Sequence, residues 1–310
     1  MNLSRLMLSL QPHKNSTNMS LYIKKTRIVT AILLMISAII NPAEAQDNDW
    51  RDNMKYLQYS PRYFGPNAFP MPELRSGRIG TALEAELRGE YHTYKGDRTK
   101  DIYARVFIPV AEGQAGLEVS YIIYEYYNMT RETVEERHAA GTSWNNGAHG
   151  DVIVSSFFQV LSSDKWADIM VDVNLKTASG NRSADARYTD AAAYWFNMNI
   201  GRNLYQSADN LTSIRMQGYA GFYCWMTNDN VHRQNDALTY SAGISATHGN
   251  ISATADLAGI YGYKNNGDRP MQIRTKLNYE HKKNIVSLRY KHGMKDCLYD
   301  SFSIAYIRTF

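Results

Sequence analysis

Regular alternation of polar and apolar residues constrains the fold of this chain more than any other feature. Side chains two positions apart along a β-strand point to the same face of the sheet. We predict a first strand from Arg78, with Ile79, Leu83 and Leu87 on its outer face. Its other face is charged and carries Glu84, Glu86, Arg88, Glu90 and His92. A packed sandwich rarely stacks so many charges on one strand face, whereas a wet barrel interior tolerates them.

The same period recurs along the rest of the chain. Eleven further runs follow, at residues 102–110, 115–127, 151–162, 168–178, 190–201, 213–225, 237–248, 250–263, 271–281, 285–293 and 299–310. Most exceed the roughly 9–11 residues that a tilted membrane strand needs. Connections after odd-numbered runs tend to be long and the others short, which is typical of outer-membrane barrels. Arg202–Thr212 is the exception, because it is long for a turn.

These patterns predict an all-β fold: a single antiparallel transmembrane β-barrel of twelve strands over residues 78–310. No apolar stretch after residue 40 reaches the roughly 20 residues of a spanning helix. A chain that spans lipid without helices must close into a barrel to satisfy its backbone groups. The 23 Tyr and 5 Trp suit the aromatic girdles that contact outer-membrane lipid.

The last run alternates Phe302, Ile304 and Tyr306 and reaches an aromatic residue at Phe310. This ending resembles the C-terminal signature of bacterial outer-membrane barrels. The resemblance implies the barrel-assembly machinery as a partner, engaged through that strand. It also implies the outer membrane as the location of the protein.

Residues 24–45 have the pattern of a secretory signal peptide. Three basic residues precede an apolar run over 28–40, and the small-residue site Ala43-Glu44-Ala45 follows. We predict cleavage after Ala45. An uncleaved anchor is the alternative, but thirteen residues are too few to cross roughly 30 Å of hydrocarbon. Residues 1–18 are then an upstream extension, and either Met1 or Met19 is the true start.

Residues 46–77 form a separate segment that is rich in proline and aromatic residues. Its prolines are Pro61, Pro66, Pro70 and Pro72. They exclude a central strand and a stable helix, because proline lacks the N–H donor that both need. Two interpretations stay open at this point. The segment is either a periplasmic linker or an ordered plug in the barrel lumen.

Parity along the runs assigns a set of charged side chains to the lumen. The candidates are Glu84, Glu86, Arg88, Glu90, Arg105, Glu118, Asp172, Lys176, Arg215, Arg274, Lys276, Arg289 and Lys291. Acids concentrate on runs one and three, and bases on runs ten and eleven. One hypothesis is a transverse field across an open pore that selects polar solutes. The alternative is that the charges pair with one another, or with Arg62 and Glu73 of the N-terminal segment, and fill the lumen.

Other chemistries find little support in the sequence. Residues 46–310 hold 29 basic and 29 acidic residues, so nucleic acid is excluded as a partner. A spacing of about 6.6 Å along a strand is wide for Glu90 and His92 to share a metal ion. Ser301 and Ser303 are assigned to the lumen but His292 to lipid, which argues against a catalytic pair. We predict no enzyme activity and no cofactor, and we expect Cys224 and Cys297 to be free thiols.

The loop over residues 128–150 is the longest predicted connection, and residues 131–138 within it have the composition of a short helix. Loops carry function more often than strands do. This loop is therefore the first candidate for solute gating or partner contact. A solvated helix that shields the barrel mouth is the simpler interpretation.

Two pairs of segments resemble known barrels. Gly150-Asp151-Val152 and Leu175-Lys176-Thr177-Ala178-Ser179-Gly180 resemble porin-like transporters of the phenol-degradation type. Phe64-Gly65-Pro66-Asn67-Ala68 and Ala186-Arg187-Tyr188-Thr189-Asp190 resemble outer-membrane barrels of Bacteroidetes. The resemblance implies a porin-like channel for small polar solutes and carries no catalytic residues across. A non-conducting barrel that serves as a structural or partner-binding platform is the alternative, and a lipid-acting barrel enzyme the third reading.

Overall fold

A computed structural model describes residues 54–139 and 145–310. The predicted signal peptide, its cleavage site, both candidate start residues and residues 46–53 lie outside this part. Thirteen strands form one antiparallel sheet. They are β1 Glu84–Tyr94, β2 Asp97–Ala111, β3 Ala115–Met129, β4 Asn145–Ala148, β5 Ile153–Leu161, β6 Asp168–Lys176, β7 Ala193–Gln206, β8 Thr212–Met226, β9 Gln234–His248, β10 Ile251–Gly262, β11 Met271–His281, β12 Asn284–Lys295 and β13 Asp300–Thr309.

The sheet closes on itself because the last strand pairs with the first. Glu84 lies opposite Thr309, and Thr93 lies opposite Asp300. Strand β4 has four residues and pairs only with the far end of β3. The other twelve strands form the barrel, with each strand bonded to its neighbours in chain order. The predicted all-β, twelve-stranded antiparallel barrel is confirmed.

Three boundaries differ from the sequence prediction. Strand β1 starts at Glu84 rather than Arg78, and Ile79 and Leu83 are buried instead of facing out. The first connection is only two residues long, since β2 begins at Asp97 and not at residue 102. The long connection expected before Thr212 spans only 207–211, because β7 continues to Gln206. In each case the reason is the same. Backbone hydrogen bonds between strands decide where a strand begins and ends, and these bonds do not require the side chains to alternate between polar and apolar.

The two-residue connection between β1 and β2 depends on Gly96. Its φ is +83°, in a region that residues with a Cβ avoid. A Cβ at this position would also lie 2.1 Å from the hydroxyl oxygen of Thr133. The carbonyl of Gly96 accepts a hydrogen bond from the backbone N–H of Thr130. The tight hairpin therefore supports the start of the helix α1, Arg131–Glu136.

The barrel has two unlike ends. The long-loop end carries residues 130–139, 149–152, 177–192, 227–233 and 263–270. The turn end carries the short connections 112–114, 162–167, 207–211, 249–250 and 282–283. Helix α1 lies at the long-loop end, and its Val134 packs with Tyr127 and Tyr188. The short helix predicted from the sequence is therefore present, and one face of it is buried.

The outer surface of the barrel is apolar. Leu87, Ile304 and Tyr306 are about half exposed on β1 and β13, and alternate positions between them face inward and are buried. Within the described residues no helix combines the length and the apolar character needed to cross a bilayer. Both cysteines are free thiols, as expected. Burial raises the pKa of Cys297, in the β12–β13 connection, to about 11.

Candidate functional site: the occupied lumen

Residues 57–83, which we call the lumen segment, pass through the barrel from the long-loop end to the turn end. At the long-loop end, the carbonyl of Tyr59 accepts a hydrogen bond from Trp225 Nε1 at 2.9 Å. Midway, the carbonyl of Pro72 accepts from Tyr219 and from Arg274. These wall residues lie on β8 and β11, so the segment contacts the wall along the length of the lumen.

At the turn end, the segment is held by charged side chains of β6 and β8. The carbonyl of Ser76 accepts from Arg215 Nη2 at 2.7 Å. Arg78 donates to Asp168 at 2.6 Å, and Arg215 Nη2 reaches the same carboxylate at 2.5 Å. A Cβ on Gly201 would lie 2.0 Å from the Ser76 carbonyl oxygen. A glycine at this position of β7 therefore lets the segment lie directly against the wall.

Proline suits a chain that lies inside a barrel without joining its sheet. Pro61, Pro66, Pro70 and Pro72 have no N–H group that would need an acceptor in the lumen. Only the carbonyl groups require partners, and Pro72 has two. Proline spacing in the sequence predicted only that no strand or helix would form. It carried no signal that the wall would supply the missing hydrogen bonds.

Aromatic packing fills the half of the lumen nearest the long loops. Tyr59, Phe64 and Phe69 follow one another edge to face, with ring centroids 5.3 and 5.6 Å apart. Phe69 continues the series onto Trp225 at 5.4 Å. Phe64 is fully buried. This aromatic cluster packs the segment against β7 and β8, where Trp195 and Tyr223 belong to the same buried group.

Acids and bases meet where β12, β13 and β1 close the barrel. Arg289 Nη2 on β12 lies 2.9 Å from Glu86 on β1, although β13 separates the two strands. Lys291 lies 3.5 Å from Glu90 in the same way. The inward side chains of β13 between them are Ser301, Ser303 and Ala305. Because these are small, the long basic side chains of β12 pass over β13 to the carboxylates of β1.

Arg105 and Arg75 extend this charge network toward β3. Arg105 contacts three carboxylates at 2.8 to 3.0 Å, those of Glu84, Glu86 and Glu118. Arg75 of the lumen segment donates to Glu118 at 2.8 Å. Arg88 lies 3.3 Å from Glu86 and 3.0 Å from Glu90. These predicted lumen residues therefore pair with one another and with the segment.

The other five predicted lumen residues lie outside this charge network. Asp172 on β6 accepts from the side-chain amides of Asn174, Asn197 and Asn199. Lys176 donates to Asp151 at 2.7 Å and to the Thr189 hydroxyl at 3.1 Å. Arg215 holds Ser76, as described above. Arg274 is bonded to Asp256 on β10 and to the segment. Lys276 makes no hydrogen bond or ion pair with the described residues.

Sequence reasoning missed a second buried charge network under the long loops. Arg187 reaches Asp97 at 2.6 Å and Glu125 at 2.8 Å, and all three are fully buried or nearly so. Arg137, just after α1, reaches Asp97 at 2.8 Å. The sequence prediction assigned Asp97 to a loop, and nothing in the pattern indicated a partner ninety residues away. Only the fold brings these charges together.

His92 has the second-strand partner that the sequence argument did not find. Its Nε2 lies 2.8 Å from Asp101 Oδ2 on β2, and its Nδ1 lies 2.7 Å from the Ser301 hydroxyl. Ligand atoms of Glu90, His92 and Asp101 lie within 4.8 Å of one another. Each is already hydrogen-bonded, since Ser303 donates to Glu90 and Asn67 of the lumen segment to Asp101. The group forms a polar network that contacts the lumen segment through Asn67.

His292 does not meet Ser301 or Ser303, in agreement with the sequence argument against a catalytic pair. His292 is exposed and its Nδ1 lies 2.7 Å from Asp300. Ser301 and Ser303 are buried on the inner face of β13. The sequence placed these side chains on opposite faces of the wall, and the structure places them there too.

A cavity of about 160 Å³ remains beside the segment, lined in part by Glu73, His92 and Lys291.

Comparison with solved structures supports the fold. The chain is similar to an outer membrane channel from Pseudomonas putida F1, with a TM-score of 0.51 and 11% identity over 75% of this chain and 96% of that one. The translocator domain of the autotransporter NalP from Neisseria meningitidis matches with a TM-score of 0.45 and 12% identity, over 76% of this chain and 90% of that one. The KdgM porin matches with a TM-score of 0.44 and 10% identity, over 73% and 99%.

No description of a protein family matches the sequence. No curated protein matches it either. At these low identities the structural similarity shows the fold alone. The protein has the fold of a bacterial outer-membrane β-barrel.

Proposed function

We propose that this protein is an outer-membrane channel for small polar solutes that its own lumen segment holds closed. The observation that carries the proposal is the path of residues 57–83, which contact the wall at both ends of the lumen. A barrel whose wall needed only to be filled could use side chains of its own strands. A separate segment can leave, and its departure would open a lumen lined with charged and amide groups.

A non-conducting barrel that acts as a platform is the second candidate. The pairing of lumen charges favours it, since Arg105 alone contacts three carboxylates. Such pairing holds the segment in place and removes free charge from the path of a solute. In this alternative the long-loop end, with α1 and its neighbouring loops, is the contact surface for a partner.

The two candidates differ in the conductance of a planar bilayer. We expect the chain from Gln46 to Phe310 to show rare, brief openings. A version that lacks residues 46–77 should conduct steadily, because the segment's own rings (Tyr59, Phe64 and Phe69) and Arg75 have been removed. In that shortened chain, Arg274→Glu with Arg289→Glu should shift ion selectivity toward cations, since charged side chains at a pore set selectivity.

A control must show that the shortened barrel has folded. Far-ultraviolet circular dichroism should report the same β-sheet content for both chains. Adding a synthetic peptide of residues 54–80 should then lower the conductance of the shortened barrel. Silence from a folded, shortened barrel would refute the channel and favour the platform.

Export is part of the same proposal. We propose that a signal peptide directs the chain to the outer membrane and is cleaved after Ala45, and that the strand that ends at Phe310 engages the assembly machinery. The mature protein in an outer-membrane fraction should then begin at Gln46, as N-terminal sequencing would show. A longer N-terminus would contradict cleavage at this position.

A further inference from the structure

The charge around Glu73 is unbalanced, unlike the rest of the lumen. A small cavity of about 30 Å³ is lined by the bases Arg274, Lys276, Arg289 and Lys291 and by the acids Glu73 and Asp256. Asp256 is bonded to Nε and Nη2 of Arg274. Arg289 and Lys291 pair with Glu86 and Glu90, so Glu73 is the acid of this cavity that is left to face Lys276.

Glu73 belongs to the lumen segment, not to the wall, and its carboxylate is loosely held. Its nearest ion-pair partner is Arg88, at 4.0 Å, and its side chain is 47% exposed. By contrast, the wall carboxylate of Glu86 is almost completely buried and lies 2.9 Å from Arg289. A carboxylate that is exposed and lacks close hydrogen bonds gives up little when it moves.

Among the described residues on the wall side of this site, one base lacks a wall carboxylate within ion-pair distance, whereas Arg274, Arg289 and Lys291 each have one. Lys276 has no ion-pair partner in the part of the chain that the structure describes. Arg274, Arg289 and Lys291 line the same small cavity as Glu73, and Arg88 lies 4.0 Å from its carboxylate. Several cationic side chains thus surround one carboxylate group. Proteins bind the carboxylate or phosphate group of a ligand with this type of arrangement.

We propose that this basic wall is a binding site for a small oxyanion, a carboxylate or phosphate group of a solute, and that Glu73 occupies the site in its place. A solute that carries such a group competes with Glu73 and thereby weakens the attachment of the lumen segment. The inference rests on the proposed channel function and names its class of solute. Anionic solutes would then promote their own passage, whereas neutral polar solutes would not.

The test measures the binding of inorganic phosphate to the mature chain in detergent. Isothermal titration calorimetry at constant ionic strength gives the affinity. Glu73→Gln removes the competing charge, so this variant should bind inorganic phosphate on the order of tenfold more tightly than the unmodified chain. Adding Lys276→Gln should reverse most of that gain. This substitution leaves no wall carboxylate without a partner, so the barrel should remain folded. Lys291→Gln provides a second variant of the basic wall.

Lys100→Gln is the matched control, because Lys100 is exposed on the outer face of β2. It should leave phosphate binding unchanged. Equal affinity of the unmodified chain and of Glu73→Gln would overturn the proposal. An equal loss of phosphate affinity in Lys100→Gln and in Lys276→Gln would also overturn it. Binding is measured without a membrane, so its outcome is independent of conductance. If the chains bind phosphate but never conduct, the channel is refuted and the anion site is retained.

Discussion

The two halves of the lumen segment are held in different ways. Residues 57–69, the aromatic half, are packed by rings such as Phe64 and Trp225 and are largely buried. Residues 70–83, the polar half, are held by ion pairs and hydrogen bonds, among them those of Arg75 and Arg78. In the polar half, Glu73 is exposed to the lumen. The same chain is therefore fixed by burial at one end and by charge at the other.

This difference indicates where the segment can loosen. Charge screening by salt weakens ion pairs that water reaches, whereas it does not weaken the burial of aromatic rings, which some salts even strengthen. The polar half also offers a site at which an anion can replace a carboxylate of the segment. We infer that release starts in the polar half, and that the aromatic half acts as the anchor to which the segment returns.

Phe64→Ala tests the anchor and should have the largest effect. The ring is fully buried between Tyr59 and Phe69, and replacing a buried Phe by Ala costs about 3–5 kcal/mol. Denaturant unfolding of the mature chain in detergent would measure the loss. We also expect more frequent channel openings in a bilayer. Unchanged stability would show that the aromatic half is not an anchor.

Asp97→Asn tests the charge network above the aromatic half. Asp97 Oδ2 receives both Arg137 and Arg187, and the guanidinium of Arg187 lies against Gly65 of the segment. Removing one member of a buried pair costs roughly 3–5 kcal/mol, here reduced because Glu125 still pairs with Arg187. Thermal unfolding would measure this loss of stability. Asp229→Asn, which breaks the pair with Lys264 in a loop, is the control and should change stability far less.

Arg75→Gln tests the polar half and should have a smaller effect. Glu118 loses Arg75 but keeps Arg105 at 2.8 Å, so we expect a loss of about 1–2 kcal/mol. Openings should become more frequent in the variant, and raising the salt concentration should have less influence on it than on the unmodified chain. An effect of salt that is the same in both chains would contradict the assignment of the polar half to charge.

Arg131→Gln should have the smallest effect of the four. Arg131 and Glu135 form an exposed pair one helical turn apart on α1, and such pairs contribute little. We expect the same unfolding midpoint and the same frequency of openings as in the unmodified chain. A clear change in openings alone would instead assign a gating role to α1, which the loop position also allows.

Much of the fold could be predicted because strands repeat a local rule. Alternation along β1 and β13 placed Arg88 and Ser303 inside and Leu87 and Ile304 outside without any knowledge of their neighbours. Strand ends were less predictable, since β2 gains its first five residues from pairing with β1 and β3. The short strand β4 was missed because Asn145–Ala148 has no alternation.

The contents of the lumen could not be predicted in the same way. Parity showed that Arg289 faces inward but not that it reaches Glu86 across a strand of small side chains. Proline content left two positions open for residues 46–77, a linker or a plug. Asp97 and Arg187 lie far apart in the chain, and no local pattern links them.

The sequence by itself determined the number of barrel strands, their antiparallel order and which strand side chains face inward, because period and connection length are local properties. The tertiary structure decided that a segment without a β-strand or an α-helix lies in the lumen, and which charges pair there. Those outcomes depend on distances between residues that only barrel closure brings together. Closure of the barrel therefore decides whether the charged side chains of the lumen stay unpaired and create a field across it, or pair with one another.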